Sequence, residues 1–232
     1  MKKVGFIGSF DKTDLILYIA KILVAAGNRV MVVDATVTQK TRYVVPVIQP
    51  TNAYVTEFEG IDVAVGFANL DSIKMFLGMP VHAELPYDIV LFDIDNYVAM
   101  HNFNINNNGK NYFVTGFDLY SLKKGLEILS QIPENIFLTK VLFSRTATKE
   151  EDDYLNHLAL GYKIEWDNER IYFPFELGDE TIIAENQRVS KIKFKKLSDQ
   201  YKEGLIYIAQ QILENDNYNQ FKKLLKQLEK NV

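Results

Sequence analysis

Short apolar runs alternate with stretches of helical period along most of the chain. Lys3 to Ile7 is predicted as a strand. Asp14 to Ala26 follows with Leu15, Ile16, Ile19, Ile22 and Leu23 on one helical face, and Gly27-Asn28 supplies a helix stop. Further β-branched runs predict strands at Arg29 to Val33, Ile61 to Val65, Ile89 to Phe92, Tyr112 to Thr115, Ile136 to Phe143 and Arg170 to Phe173. Leu119 to Gln131 and Ser198 to Leu213 carry amphipathic helical patterns. Strands that are apolar throughout, separated by helices, belong to a parallel sheet covered on both faces. The expected fold class is therefore α/β, a mostly parallel, doubly wound sheet of about seven strands with helices on both faces.

Two stretches break this alternation. Thr36 to Glu59 holds two prolines and little periodicity, and reads as a long excursion after the second strand. His101 to Asn111, containing Asn106-Asn107-Asn108-Gly109, reads as a polar loop or hairpin turn. No internal repeat or interdomain linker interrupts residues 1–213, which are expected to form one domain.

Composition removes several kinds of chemistry. The chain has no cysteine, which excludes thiol catalysis, disulfides and cysteine-based zinc sites. Its three histidines, His82, His101 and His157, lack the spacing of a helical metal pair, so no metal centre is expected. Val4 to Ile7 is too short for a signal-peptide core, and no segment approaches the ~20 apolar residues of a membrane span. A cytoplasmic protein is expected, with peripheral attachment at the inner face of the membrane as a variant. The net charge of −4 gives no global bias toward nucleic acid. It is unevenly distributed: residues 188–232 carry ten Lys/Arg against five Asp/Glu, leaving −9 for residues 1–187.

The opening, Val4-Gly5-Phe6-Ile7-Gly8-Ser9-Phe10-Asp11-Lys12-Thr13, runs strand, tight turn, helix. It resembles the first βα unit of the ParA/MinD family of P-loop ATPases, in which a glycine-rich loop ending in Gly-Lys-Thr cradles phosphates with backbone N–H groups. Three further elements follow in the family's order. Val32-Val33-Asp34 ends in an aspartate 22 residues after Lys12; Tyr87 to Asp93 looks like the Walker B strand; Val114-Thr115 precedes Ser121-Leu122. Tyr172-Phe173-Pro174 and the region of Glu185 resemble the family's later strand end and loop. The resemblance implies that Gly8, Lys12, Thr13, Asp34, Asp93 and Arg145 stand at nucleotide-binding positions, with ATP and Mg²⁺ as the family's ligands.

Departures from the pattern fall on separate functions. Only Gly8 remains of the loop glycines, the loop is about three residues shorter than the family's, and Asp11 stands where the last glycine belongs. A carboxylate there repels phosphates. The family's lysine that reaches across the dimer has no counterpart. Thr36 occupies the place of the hydrolytic aspartate, and Ser144-Arg145 that of the asparagine-arginine pair that reads adenine. The surviving Lys12, Thr13, Asp34 and Asp93 have a structural explanation as helix caps and ion pairs.

Two surface segments stand outside the resemblance. Arg188, Lys191, Lys193, Lys195 and Lys196 form a basic run suited to an anionic surface, or else a solvated loop or edge strand. After a polar break at 214–217, residues 218–232 are expected to form a separate basic amphipathic helix. Phe221, Leu224, Leu225 and Leu228 share one face, and Lys222 and Lys226 flank it. That helix suits a membrane surface or a partner, or else docks on its own domain.

The reading is a ParA/MinD-like pseudo-ATPase, similar to the pilus-positioning members with atypical loops. It serves as a positioning or scaffold protein for a cell-surface, secretion or partition apparatus. It requires no cofactor and has protein partners, a second copy of the chain among them. The alternatives are an active ATPase with a nucleotide-driven dimer cycle and a non-specific DNA-binding partition protein.

Overall fold

A computed structural model describes residues 1–48, 51–144, 148–174 and 177–230. The apolar runs form an eight-stranded sheet among these residues. The strands are β1 (Lys2–Ile7), β2 (Val30–Asp34), β3 (Tyr54–Phe58), β4 (Ile61–Val65), β5 (Ile89–Ile94), β6 (Lys110–Gly116), β7 (Ile136–Ser144) and β8 (Ile164–Pro174), in the order β3-β4-β2-β5-β1-β6-β7-β8. All neighbours are parallel except β3 and β4. Every residue of β2 and β5 is buried, because both faces of the sheet are covered.

Successive side chains divide between two cores. Val4, Phe6, Val30, Val32, Ile89 and Leu91 face α1 (Thr13–Ala25), α8 (Asp199–Leu213) and α9 (Tyr218–Lys230). Ile7, Met31, Val33, Val90, Phe92 and Ile94 point to the other face. There they meet residues of α3 (Leu70–Phe76), α4 (Tyr97–Asn102), α5 (Leu119–Ser130) and α6 (Lys149–Leu158). The remaining helices are α2 (Thr41–Val44) and α7 (Leu177–Arg188). Helix α1 stops at Gly27, whose φ of +93° suits glycine, with Gly27 and Asn28 donating to the carbonyls of Val24 and Leu23.

The expected sheet of about seven strands has eight among the described residues. The excursion contains α2 and the edge strand β3, which pairs antiparallel with β4 through Glu59-Gly60, both at positive φ. Such two-residue turns favour Asn-Gly or Asp-Gly, and glutamate at the first position hides the signal. Lys21 Nζ steadies Glu59 by donating to its carbonyl and carboxylate, at 2.8 and 2.9 Å. The expected loop from His101 to Asn111 contains the end of α4 and the start of β6.

The expectation of a separate C-terminal helix is also corrected. Phe221 and Leu225 are buried in the same core as α1 and α8, and Leu224 and Leu228 pack against its edge. Lys202 of α8 lies 2.8 Å from Glu229. The narrow apolar stripe seats this helix on its own domain, leaving Lys222 and Lys226 exposed on the outer side.

Candidate functional site

The chain order reverses direction beside β1, so the loops after β1, β2 and β5 meet at the carboxyl ends of their strands. Asp34 and Asp93 are register partners across β2 and β5. The loop of residues 8–12 arches over them. Gly8 has a φ of +144°, and a Cβ there would lie 2.1 Å from the carbonyl oxygen of Val114 in β6. Its N–H donates to the Ile94 carbonyl at 3.0 Å. The one retained loop glycine is thus required by the sheet itself.

Lys12 is turned inward and is 2% exposed. Its ammonium donates to the Gly8 carbonyl at 2.7 Å and lies 2.7 Å from Asp93 Oδ1. At that separation the two groups form a buried ion pair. Burial pushes the Asp93 carboxyl up to about 6; Lys12 opposes this and the nearby Asp34 adds to it. Asp34 is fully engaged: its Oδ1 accepts from the Thr36 hydroxyl at 2.6 Å and the Thr36 N–H at 3.1 Å. Its Oδ2 accepts from the Thr41 N–H at 3.0 Å, capping α2.

Thr13 opens α1, buried, and its N–H donates to Asp11 Oδ1 at 3.2 Å. The other Asp11 oxygen is paired with Lys40, which also lies 3.7 Å from Asp14. Burial alone would lower the Lys40 ammonium, but the hydrogen bond and charge of Asp11, with Asp14, hold it above its usual value. Burial raises Asp14, against a hydrogen bond from Gln187 and the charge of Lys40.

Two hollows flank this loop. One, of about 760 Å³, is lined by Lys12, Thr13, Thr36, Asp93 and Asp95. The other, of about 310 Å³, is lined by Leu15, Phe143, Pro174, Ile183 and Tyr201. Phe10, Asp11 and Lys40 border both and form the wall between them. The Phe10 ring stacks on Phe143 at 4.6 Å, Phe143 stacks on Phe173 at 5.1 Å, and Tyr201 meets Phe173 edge-on.

Gly8, Lys12, Thr13, Asp34 and Asp93 are therefore brought together. Ser144 lies at the end of β7, where its hydroxyl donates to Glu151 at 2.6 Å; Arg145 falls outside the described residues. The basic run is not among the residues lining this site; it forms the end of α7 and a strap leading to α8. Ile192, Phe194 and Leu197 anchor the strap in the core, with Lys191 paired to Glu59 and Lys196 to Glu185. Arg188 and Lys195 are exposed, and the Lys193 carbonyl accepts from Asn186 at 2.8 Å.

Sequence reasoning did not single out Lys40, Phe10 or Asp95. Asp95 follows Asp93 by two residues and accepts from the Val37 N–H at 3.0 Å, a pairing that the spacing hints at. Lys40 arrives from the excursion after β2, where no periodicity marks it.

No family model and no curated protein sequence matches this chain. Solved structures do. The ParA family ATPase of Chlorobium tepidum aligns with 90% of this chain and 97% of its own, at TM-score 0.59 and 13% identity. A chain of the MinC:MinD cell division protein complex of Aquifex aeolicus aligns over 93% and 97%, at 0.59 and 11%. A putative plasmid partition protein of Borrelia burgdorferi, solved with AMPPNP bound, aligns over 92% and 99%, at 0.53 and 13%. These likenesses extend over almost the whole chain, and the fold is ParA/MinD-like.

Proposed function

We propose that this ParA/MinD-like chain is a pseudo-ATPase, a scaffold or positioning protein for a cell-surface, secretion or partition apparatus. The observation that carries the reading is Thr36. It stands where the resemblance calls for the carboxylate that orients attacking water, and its hydroxyl is engaged by Asp34 at 2.6 Å. A threonine held as a donor to a buried carboxylate has no basic group with which to activate water.

The residues around the loop do not fit a magnesium nucleotide. Asp11 directs a carboxylate at the first N–H of α1, where the fold would seat a phosphate. The larger hollow is lined by Asp11, Asp93, Asp95 and Glu127 against Lys12, Lys40 and Lys124, a formal balance of −1 unsuited to a polyphosphate. Its mouth supports a protein-binding role instead. Val37, Tyr43, Val98 and Tyr120 border it and are all exposed, an apolar rim on which a partner or a second copy could seat.

The reading is tested by following phosphate release from ATP and Mg²⁺ with the purified full chain. The expected rate is that of buffer alone, and it should be unchanged in Thr36→Ala. Turnover that scales with the amount of wild-type protein would sink the reading.

A further inference from the structure

We infer that the Asp11–Lys40 bridge is a built-in stopper that occupies the anion seat of α1 and divides one groove into two hollows. The inference rests on the pseudo-ATPase reading and adds the means by which the site is closed.

Three observations converge on it. First, a helix N-terminus attracts negative charge through its unpaired N–H groups and its dipole. In this chain the attraction is met from within, because Asp11 Oδ1 accepts from the Thr13 N–H at 3.2 Å. An incoming phosphate would have to displace that carboxylate or lie against it. Second, Asp11, about half exposed, is tethered from its other side. Its second oxygen is bound by Lys40, delivered by the turn before α2, and Lys40 is steered from behind by Asp14 at 3.7 Å. Gln187 of α7 holds both oxygens of Asp14 at 2.8 Å, so the bridge is anchored through three elements. Third, Asp11, Lys40 and Phe10 are the residues shared by the two hollows. Without the bridge, the hollow containing Lys12 and Thr13 would open into the one lined by Phe143, Pro174 and Tyr201.

The bridge is an exchange of one anion for another. The carboxylate neutralises Lys40 and the end of α1, leaving no net attraction for a second anion. Removing it would release both a lysine and a helix terminus toward the same point. The chemical class then admitted is a phosphoanion. Charge and hydrogen-bonding geometry argue for this class.

Isothermal titration of the full chain with inorganic pyrophosphate tests the inference. Wild type should give no saturable heat. Asp11→Gly, checked for folding by circular dichroism, should bind at least about tenfold more tightly than wild type. Asp11→Asn serves as a second variant if the glycine chain does not fold. It removes the charge at nearly unchanged side-chain size, and should also bind more tightly than wild type. Saturable wild-type binding as tight as that of Asp11→Gly would overturn the inference, as would a folded Asp11→Gly or Asp11→Asn that binds nothing. Each of these can occur without ATP turnover, which would leave the pseudo-ATPase reading in place; wild-type turnover fails that reading instead.

Discussion

Lys12 and Asp93 are both almost wholly buried, so neither keeps the hydration that makes a surface charge inexpensive. Removing one partner leaves the other charged and uncompensated. Lys12→Met is therefore expected to lose about 3–5 kcal/mol of stability, whereas Lys12→Met with Asp93→Leu should recover most of it. Urea denaturation of the single and double variants measures the difference, and equal losses in both would show that the pair is not coupled. Asp93 also gives the fold a pH dependence. Its carboxyl stands near 6 in the folded chain against an ordinary 3.8. Between those values the folded state holds a proton that the unfolded state has lost, so this contribution to stability is complete below about 4. It fades as pH rises through about 6. Carbon-detected NMR titration of the Asp93 carboxyl should show its midpoint there, and a midpoint at the ordinary value would refute the assignment. The legible part of this site was its residue types. Its connections were not, because Lys40 and Asp11 meet across 29 residues of chain with no periodic signal between them.

At the scale of elements, α9 shows how the same sequence pattern serves two outcomes. A stripe of Phe221, Leu224, Leu225 and Leu228 flanked by lysines fits a lipid surface or a protein groove equally well, since both bury a narrow apolar face. The decision lies in α1 and α8, which present a matching apolar surface and, in Lys202, a partner for Glu229. Phe221→Ala is accordingly expected to cost about 3–5 kcal/mol, the usual range for emptying a buried phenylalanine site. A fall in thermal midpoint by circular dichroism checks this; an unchanged midpoint would mean that the helix contributes nothing to the body. Strand β3 was missed for a related reason. Its alternation is short, and its partner is specified by a turn whose glutamate is held by a lysine from α1, a contact that only the fold supplies.

For the molecule as a whole, the sheet was legible because fully apolar strands can be satisfied only when helices cover both faces. Asp34 and Asp93 were picked out by the family resemblance, whereas seven of the eight strands followed from their apolar runs and the three long amphipathic helices from their period. Short and polar helices did not, since α2 has four residues and α6 depends on a polar cluster. In that cluster Lys140 of β7 is buried against Asp152 at 2.7 Å and Asn156 at 2.6 Å. Polar burial of this kind is decided by pairing in three dimensions, which leaves no periodic trace.

Gly8 bears on how such chains change over generations. Its missing Cβ is demanded by the carbonyl of Val114, a feature of the sheet that persists whatever the loop above it does. Under the proposed reading, a chain with no use for phosphate could dispense with the other loop glycines but not with this one. The glycine is then a fossil of construction, and its presence says nothing about use. The informative letter in this loop is the neighbouring Asp11. A single base change converts an aspartate codon to a glycine codon, so the step between a closed and an open loop is one of the shortest that selection could be offered.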